Sequence, residues 1–382
     1  MRKTLGLLMA SVMLLFSLGL IVLTSASSEV AIRKHNDPSF FINKQLTWFL
    51  FAIVIALVVS YFNYHWWQEC PWLTILIYGA VLVLLVLVVT PGIRHKVNGS
   101  YRWLTVGGVS LQPSEFSKAA VVIILSVYLQ RIGGKIRSFW QGMVFPLMIM
   151  TVPLALILAE PDYGSLAVVA VTGIVLMFVA GTRWLYLGPA GLLGTLLVGI
   201  CVWFNENRMN RIRAWIEGSD SENAAAHQLD MAKEALMHGG TWGRGFMNSI
   251  QKHFYTPEAH TDFIFSIGGE EFGFAFSLFV VLCFAVIMFC GMKIALNAPD
   301  RLGKLMAFGM MFLLVVQAIA NIAVVTGLFP TKGMALPLFS YGGTNLLTAS
   351  IIIGTLINIG RQTLENEMEF RAQPVKNVLT DF

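Results

Sequence analysis

Charge is what this sequence has least of. Only 12% of its 382 residues are Asp, Glu, Lys or Arg, half the ~25% typical of a soluble domain. With 56% of residues hydrophobic and a mean hydropathy of +0.71, too little polar surface exists to coat a water-soluble globule, and that class is excluded. Cysteine is scarce too. Cys70, Cys201, Cys283 and Cys290 form no CxxC pair, so neither a disulfide framework nor a zinc site is expected, and Cys283 and Cys290 read as small core hydrophobes. There is no P-loop, no GxGxxG opening a helix and no HExxH, which leaves nucleotide-cradling and zinc-protease chemistry without a foothold. The formal charge of +5 comes without a nucleic-acid module signature. Lys and Arg retained in cytoplasmic loops account for it, and no nucleic-acid partner is expected.

Long apolar runs are what the chain does have. At about 20 residues per spanning helix there are ten, centred on Leu14, Ile55, Leu82, Leu125, Met150, Val171, Leu192, Val280, Leu314 and Ile352. The expected fold is an all-α integral membrane protein of about ten transmembrane helices. Arg2 and Lys3, an apolar stretch and Thr24-Ser25-Ala26-Ser27 resemble a secretory signal, but Leu5 to Leu23 outruns an h-region of about 7 to 15 residues and reads as a retained first helix. With the N-terminus in the cytoplasm, the inner segments hold twelve Lys and Arg and the short outer loops seven, the ordinary positive-inside sign. An even number of spans returns the C-terminus to the cytoplasm. Residues 1–362 are expected as one membrane domain and 363–382 as a short, polar tail.

One loop breaks the pattern. Residues 205–262, between the seventh and eighth spans, are polar and far longer than ordinary connections, which marks them as functional or disordered. Leu229, Ala232 and Leu236 fall at helical spacing and Gly239-Gly240 follows, so an ordered helix is expected over Ala224 to Met237 on the outer surface.

Ionisable groups near a bilayer need a partner, a wet cavity or a task, and four clusters qualify. In RHKVNGSYRWLTVGGVSLQPSEFSK, Pro113 starts a helix on which Glu115 and Lys118 share a face; they read either as a mutual ion pair at a helix entrance or as the polar wall of an outward-facing cavity, with Lys118 available to a phosphate. Glu160-Pro161-Asp162-Tyr163-Gly164 reads as an outer turn. Pro257 to Phe263 ends the long loop, where Asp262 is either a helix cap or a general base at the water-to-membrane boundary. Glu270 and Glu271, about two turns deeper, must be paired or hydrated, with Lys118 and basic residues near the cytoplasm as candidates. In Gly327 to Thr344, Pro330, Gly333, Pro337, Gly342 and Gly343 around Lys332 make a continuous helix untenable, and broken backbone at membrane depth belongs where it is buried or lines a cavity. Trp66, Trp67 and Trp72 read as an interfacial belt.

These clusters, in this order and with the long loop between the second and third, closely resemble the SEDS family of bacterial cell-wall proteins. The matching strings are NGSYRWLTVGGVSLQPSEFSK, EPDYGS, GRGFMNSIQKHFYTPEAHTDFIFSIGGEEFGF and TGLFPTKGMALPLFSYGGTN, and they span essentially the whole chain. PTKG followed by LPLFSYGG is more like the division branch of the family than its elongation branch. The resemblance implies a ten-helix peptidoglycan glycosyltransferase of the bacterial cytoplasmic membrane that polymerises lipid II on the outer face, working with a class B penicillin-binding protein transpeptidase and other divisome proteins among membrane lipids. It makes Asp262, in the HTDF string, the essential catalytic residue, and Glu115 and Lys118 polar cavity residues. EPDYGS stands where the family commonly has QPDLGT and SYGGTN where it has SYGGSS, so Glu160, Thr344 and Asn345 are not carried over.

Glycan polymerisation needs a base for the attacking sugar hydroxyl and cations for a departing lipid pyrophosphate. Asp262 is expected to supply the first, and Arg102, Lys118 and Lys332 the second. A divalent cation, Mg²⁺ or Mn²⁺, bridging pyrophosphate to carboxylate fits the same chemistry, and no organic cofactor is expected. An α-linked donor and β-linked product require one displacement and therefore one base. The rival readings are a lipid II flippase, whose ionisable residues would lie near the midplane between repeats, and a silent scaffold for the transpeptidase. No convincing repeat is found, and the polar clusters concentrate on the outer side.

Overall fold

The computed structural model describes residues 1–91, 95–97, 100–106, 109–217, 224–252 and 261–372. The helices are α1 (Arg2–His35), α2 (Phe40–Tyr61), a short α3 (Trp66–Glu69), α4 (Pro71–Val89), α5 (Pro113–Ile132), α6 (Phe145–Ala159), α7 (Tyr163–Ala180), α8 (Trp184–Trp203), α9 (Glu206–Glu217), α10 (Ala224–Gly239), α11 (Ile264–Asn297), α12 (Arg301–Val325) and α13 (Gly343–Ala372). All of them except α3, α9 and α10 belong to helical segments long and apolar enough to cross a membrane, α6 together with the helical turn that begins at Trp140, which makes ten spans among the described residues. The ten expected centres each fall within one of these helices. All four cysteines are free.

Between α4 and α5 the helical plan is interrupted by three short strands, β1 (His95–Val97), β2 (Ser100–Val106) and β3 (Val109–Leu111), paired antiparallel in chain order. The sequence there supplies aromatic and β-branched residues around Gly107-Gly108, a pair suited to a two-residue hairpin. A reading by apolar runs passes over strands this short.

The core is built on α5, α7, α12 and α13; along its most apolar stretch α13 is 83% buried and α8 only 6%. In lipid, close packing and polar contacts hold helices together in place of the hydrophobic effect. Gly19 of α1 shows this: a side chain there would collide with the Phe339 backbone. Asn358 of α13 donates to the Val59, Ser60 and Phe62 carbonyls that end α2. The last helix runs past residue 362 to Ala372, extended by an Arg361–Glu365 pair at 3.5 Å and joined to the N-terminal amine through Glu367. The proposed tail is therefore helical as far as 372, and its residues 373–382 lie outside the described part.

The long connection between α8 and α11 carries two helices, α9 and α10, and α10 covers the predicted helix. Its following turn is inserted into a break in α11, where Gly273 adopts φ 80° and ψ −173°. There the Arg244 and Gly245 amides donate to the Glu270 and Glu271 carbonyls at 3.0 and 2.9 Å, and Phe274 and Ala275 donate back to Gly240 and Thr241 at 2.9 and 3.3 Å. The inserted chain thus satisfies backbone groups that the break would orphan. The connections following α1, α4, α6, α8 and α12 gather at this same end of the bundle.

Candidate active site

Asp162 organises the site. It is fully buried at the N-cap of α7, where its Oδ1 accepts from the Ser165 amide at 3.2 Å. Its Oδ2 accepts from Gln112 and Ser114 at 3.2 Å each, and Arg102 of β2 lies 3.6 Å from Oδ1. Burial raises such a carboxyl, but Arg102, then Lys118 and the Ser165 donors, overcome it and hold Asp162 below the usual carboxylate range. The turn read as ordinary loop chemistry is therefore the anchor of a charged cluster.

Four cations crowd around that anchor. Arg102 and Arg208 both donate to the Pro161 carbonyl, at 3.0 and 2.6 Å, and Arg208 also lies over the Tyr163 ring. Arg211 donates to the Thr331 carbonyl at 3.2 Å. Burial, with help from Arg211 and Arg102, pulls Arg208 down to about 10. Burial and Arg102 likewise lower Arg211, while Asp262 opposes them; burial lowers Lys332, which feels both Asp162 and Arg208. Partly desolvated cations that repel one another are poised for an anion.

Asp262 faces this cluster. The N-cap of α11 is Phe263, so Asp262 stands one residue before the helix. Its backbone carbonyl accepts from Asn321 at 2.9 Å, and Asn321 also holds the Met334 carbonyl at 2.7 Å, tying the two segments together. A Cβ placed on Gly333 would sit 3.3 Å from Asp262 Oδ2 and 3.7 Å from Arg102 Nη1. Carboxylate and guanidinium thus flank one point, on the wall of a cavity of about 180 Å³ that also includes Glu115, Arg211, Thr344 and Asn345.

Of the expected site residues, Arg102, Glu115 and Asp262 share this cavity. Lys118 lies behind the wall, buried, bonded to Glu115 at 2.6 Å and to Gln317 at 3.0 Å, so the ion-pair reading holds and Lys118 is not presented to a phosphate. Lys332 does not line the cavity but lies close enough to Asp162 and Arg208 to feel both charges. Thr344 and Asn345, set aside from the resemblance, belong to the site: Thr344 accepts from the Gln112 amide at 3.1 Å and Asn345 from Gln317 at 3.2 Å. Arg208 and Arg211 were not singled out from the sequence, although their three-residue spacing in NRMNRIRAW puts them on one helical face. Pro257 to His260 lie outside the described residues.

The partners expected for Glu270 and Glu271 need correcting. Neither meets Lys118 nor a basic group of the opposite end. Glu270 accepts from Ser249 at 2.5 Å and from the Ile250 and Gln251 amides at 3.0 and 3.4 Å, while Glu271 bonds Ser25 and lies 3.7 Å from Lys252. The long loop folds back over α11 and brings these partners with it. Among the described residues no three His, Cys, Asp or Glu side chains converge.

The family model for cell cycle proteins of the FtsW, RodA and SpoVE type matches residues 6–365. The chain belongs to this family. Among its relatives, a probable peptidoglycan glycosyltransferase FtsW of Trichlorobacter lovleyi is 37% identical over 352 residues, 92% of each chain. Stage V sporulation protein E of Bacillus subtilis is 37% identical over 358 residues, 93% of this chain and 96% of its own. The fold matches a chain from a structure on the coordination of polymerization and crosslinking by a peptidoglycan synthase complex, with a TM-score of 0.77 at 24% identity over 93% of this chain and 97% of that one. Thermus thermophilus RodA gives 0.69 at 24% identity over 93% and 96%. The family's ten-span fold is the one described here.

Proposed function

We propose that this FtsW-type protein is a peptidoglycan glycosyltransferase that polymerises lipid II during division, with Asp262 as general base. The observation that carries the reading is Asp262 and Arg102 flanking one point beside a four-cation cluster, at the end of an apolar bundle where a lipid-borne substrate presents its headgroup. Asp262 takes the proton of the acceptor sugar hydroxyl; the oxygen forms a bond to the donor's anomeric carbon as the bond to pyrophosphate breaks. The electron pair leaves on the pyrophosphate, next to Arg102, Arg208, Arg211 and Lys332, which offset its growing charge. One base and one displacement give inversion. Asp262 is the carboxylate that would hold Mg²⁺ or Mn²⁺, which would supply further positive charge to the departing pyrophosphate.

Lys and Arg placement supports a site facing outward from the cytoplasmic membrane, and the matching fold of a chain from a peptidoglycan synthase complex that coordinates polymerization and crosslinking supports a crosslinking transpeptidase as partner. The deciding experiment is lipid II polymerisation by wild type and Asp262→Ala, each with the transpeptidase, in detergent with Mg²⁺ or Mn²⁺. Glycan strands from wild type alone are expected. Equal product from both removes Asp262 from the mechanism, and no product from either, with lipid II scrambling in liposomes, identifies a flippase.

A further inference from the structure

Glu160 stands apart from this machinery. It ends α6 at the turn into α7, is fully buried, and neither of its carboxyl oxygens has a hydrogen-bond partner. Asp162, two residues on, has donors on both oxygens. The charges that act on Glu160 are Asp162, which opposes its ionisation, and Arg102, which favours it. Arg102 is already held by Asp162 and by the Pro161 carbonyl. A second buried carboxylate here would be charged, unbonded and next to a like charge, and a carboxyl avoids that cost by keeping its proton.

We propose that Glu160 is a neutral carboxylic acid built into the anion site, and that its ionisation at alkaline pH weakens the site's hold on a pyrophosphate. This rests on reading the cation cluster as a pyrophosphate cradle. Burial first, then the Asp162 charge, push the Glu160 carboxyl up to about 9 against the pull of Arg102. At neutral pH Glu160 therefore adds no negative charge beside the four cations. Loss of the Glu160 proton adds a negative charge beside Arg102 in a poorly solvated place, which weakens anion binding by roughly tenfold. By linkage the bound anion favours the protonated acid, so affinity is level at neutral pH and falls on the alkaline side. Arg208 and Lys332, both lowered, also lose protons there in any variant, while Asp162 stays ionised. Glu160→Gln, the uncharged isostere, isolates the share of Glu160.

The test uses the full-length protein in detergent. Infrared difference spectra between wild type and Glu160→Gln should show a protonated carboxyl band at neutral pH that vanishes by about pH 10. Calorimetric binding of inorganic pyrophosphate should be equal in the two proteins at neutral pH and about tenfold weaker in wild type at the alkaline end. Absence of the band at neutral pH, weaker binding by Glu160→Gln at neutral pH, or parallel pH slopes would each overturn the proposal. Parallel slopes with binding intact leave the cradle standing; no pyrophosphate binding by either protein at any pH removes the cradle, and the proposal with it.

Discussion

The Arg102 guanidinium lies 3.6 Å from the Asp162 carboxylate, and that pair joins β2 to the turn between α6 and α7. Asp162→Ala removes the acceptor for Gln112, Ser114 and the Ser165 amide together and leaves Arg102 without its counter-charge. A loss of about 3–5 kcal/mol is expected, as for other broken buried pairs, and thermal unfolding in detergent measures it. Because the native carboxyl lies below its ordinary value of 3.8, its stabilisation is present above that value and is lost as pH falls through the native one. The gap between wild type and variant should close in acid. An unchanged Tm at neutral pH would show that the pair does not hold the turn.

Gly333 lies between the Asp262 carboxylate and the Arg102 guanidinium. A methyl group there sits 3.3 Å from Asp262 Oδ2 and 3.7 Å from Arg102 Nη1, in the space a reacting atom must occupy. Gly333 is exposed and has no positive φ, so Gly333→Ala should fold normally. Polymerisation should nevertheless drop by about 100-fold, the scale of a 1 Å displacement at a reacting centre. Full activity would mean that substrate does not pass between the two groups.

Arg211→Gln removes one of the mutually repelling cations and keeps an amide donor for the Thr331 carbonyl. Affinity for lipid II should fall by roughly tenfold, with a shallower dependence on salt. Thermal stability should be unchanged or raised, since functional sites carry charges that the fold alone would not choose. A variant with wild-type KM and a lower Tm would make Arg211 structural.

Much of this arrangement is legible in the sequence, for identifiable reasons. Ten apolar runs are a long-range pattern that lipid enforces, so the spans follow from composition alone. Pro113 starting α5, Gly239-Gly240 ending α10 and the broken chain around Pro330 and Pro337 follow from local backbone chemistry. Contacts between distant segments do not. Nothing in NRMNRIRAW indicates that Arg208 and Arg102 converge on the Pro161 carbonyl, nor that Ser249 and Lys252 supply the partners of Glu270 and Glu271. Spacing along the helix placed Lys118 and Glu115 together, but not Gln317, which closes Lys118 off from the cavity.

That closure makes a separate test. Glu115 and Lys118 bond at 2.6 Å in the interior, where removing one partner leaves the other charge uncompensated at a cost of about 3–5 kcal/mol, whereas replacing both is nearly neutral. Lys118→Met should therefore lower Tm strongly, and Glu115→Gln with Lys118→Met should recover most of it. If the pair serves only the fold, the double variant polymerises lipid II at the wild-type rate. An inactive but stable double variant would show that the charges act on substrate through the cavity wall.

The inserted turn predicts a different failure. Gly273 has φ 80° and ψ −173°, a region essentially confined to glycine that costs a residue with a side chain about 1–3 kcal/mol, and a Cβ there would press on the backbone of Thr241 and Gly243. Backbone cannot swing aside as a side chain can, so Gly273→Ala should cost about 2–4 kcal/mol in all. The damage should be local first. The Glu270 carboxylate holds Ser249, Ile250 and Gln251 only while residues 240–245 stay in the break, so limited proteolysis should cut within 239–252 before the spans unfold. Since Asp262 follows this segment in the chain, polymerisation should fall in step with proteolytic susceptibility. A variant that resists proteolysis and melts like wild type would show that the turn is not held by the break in α11.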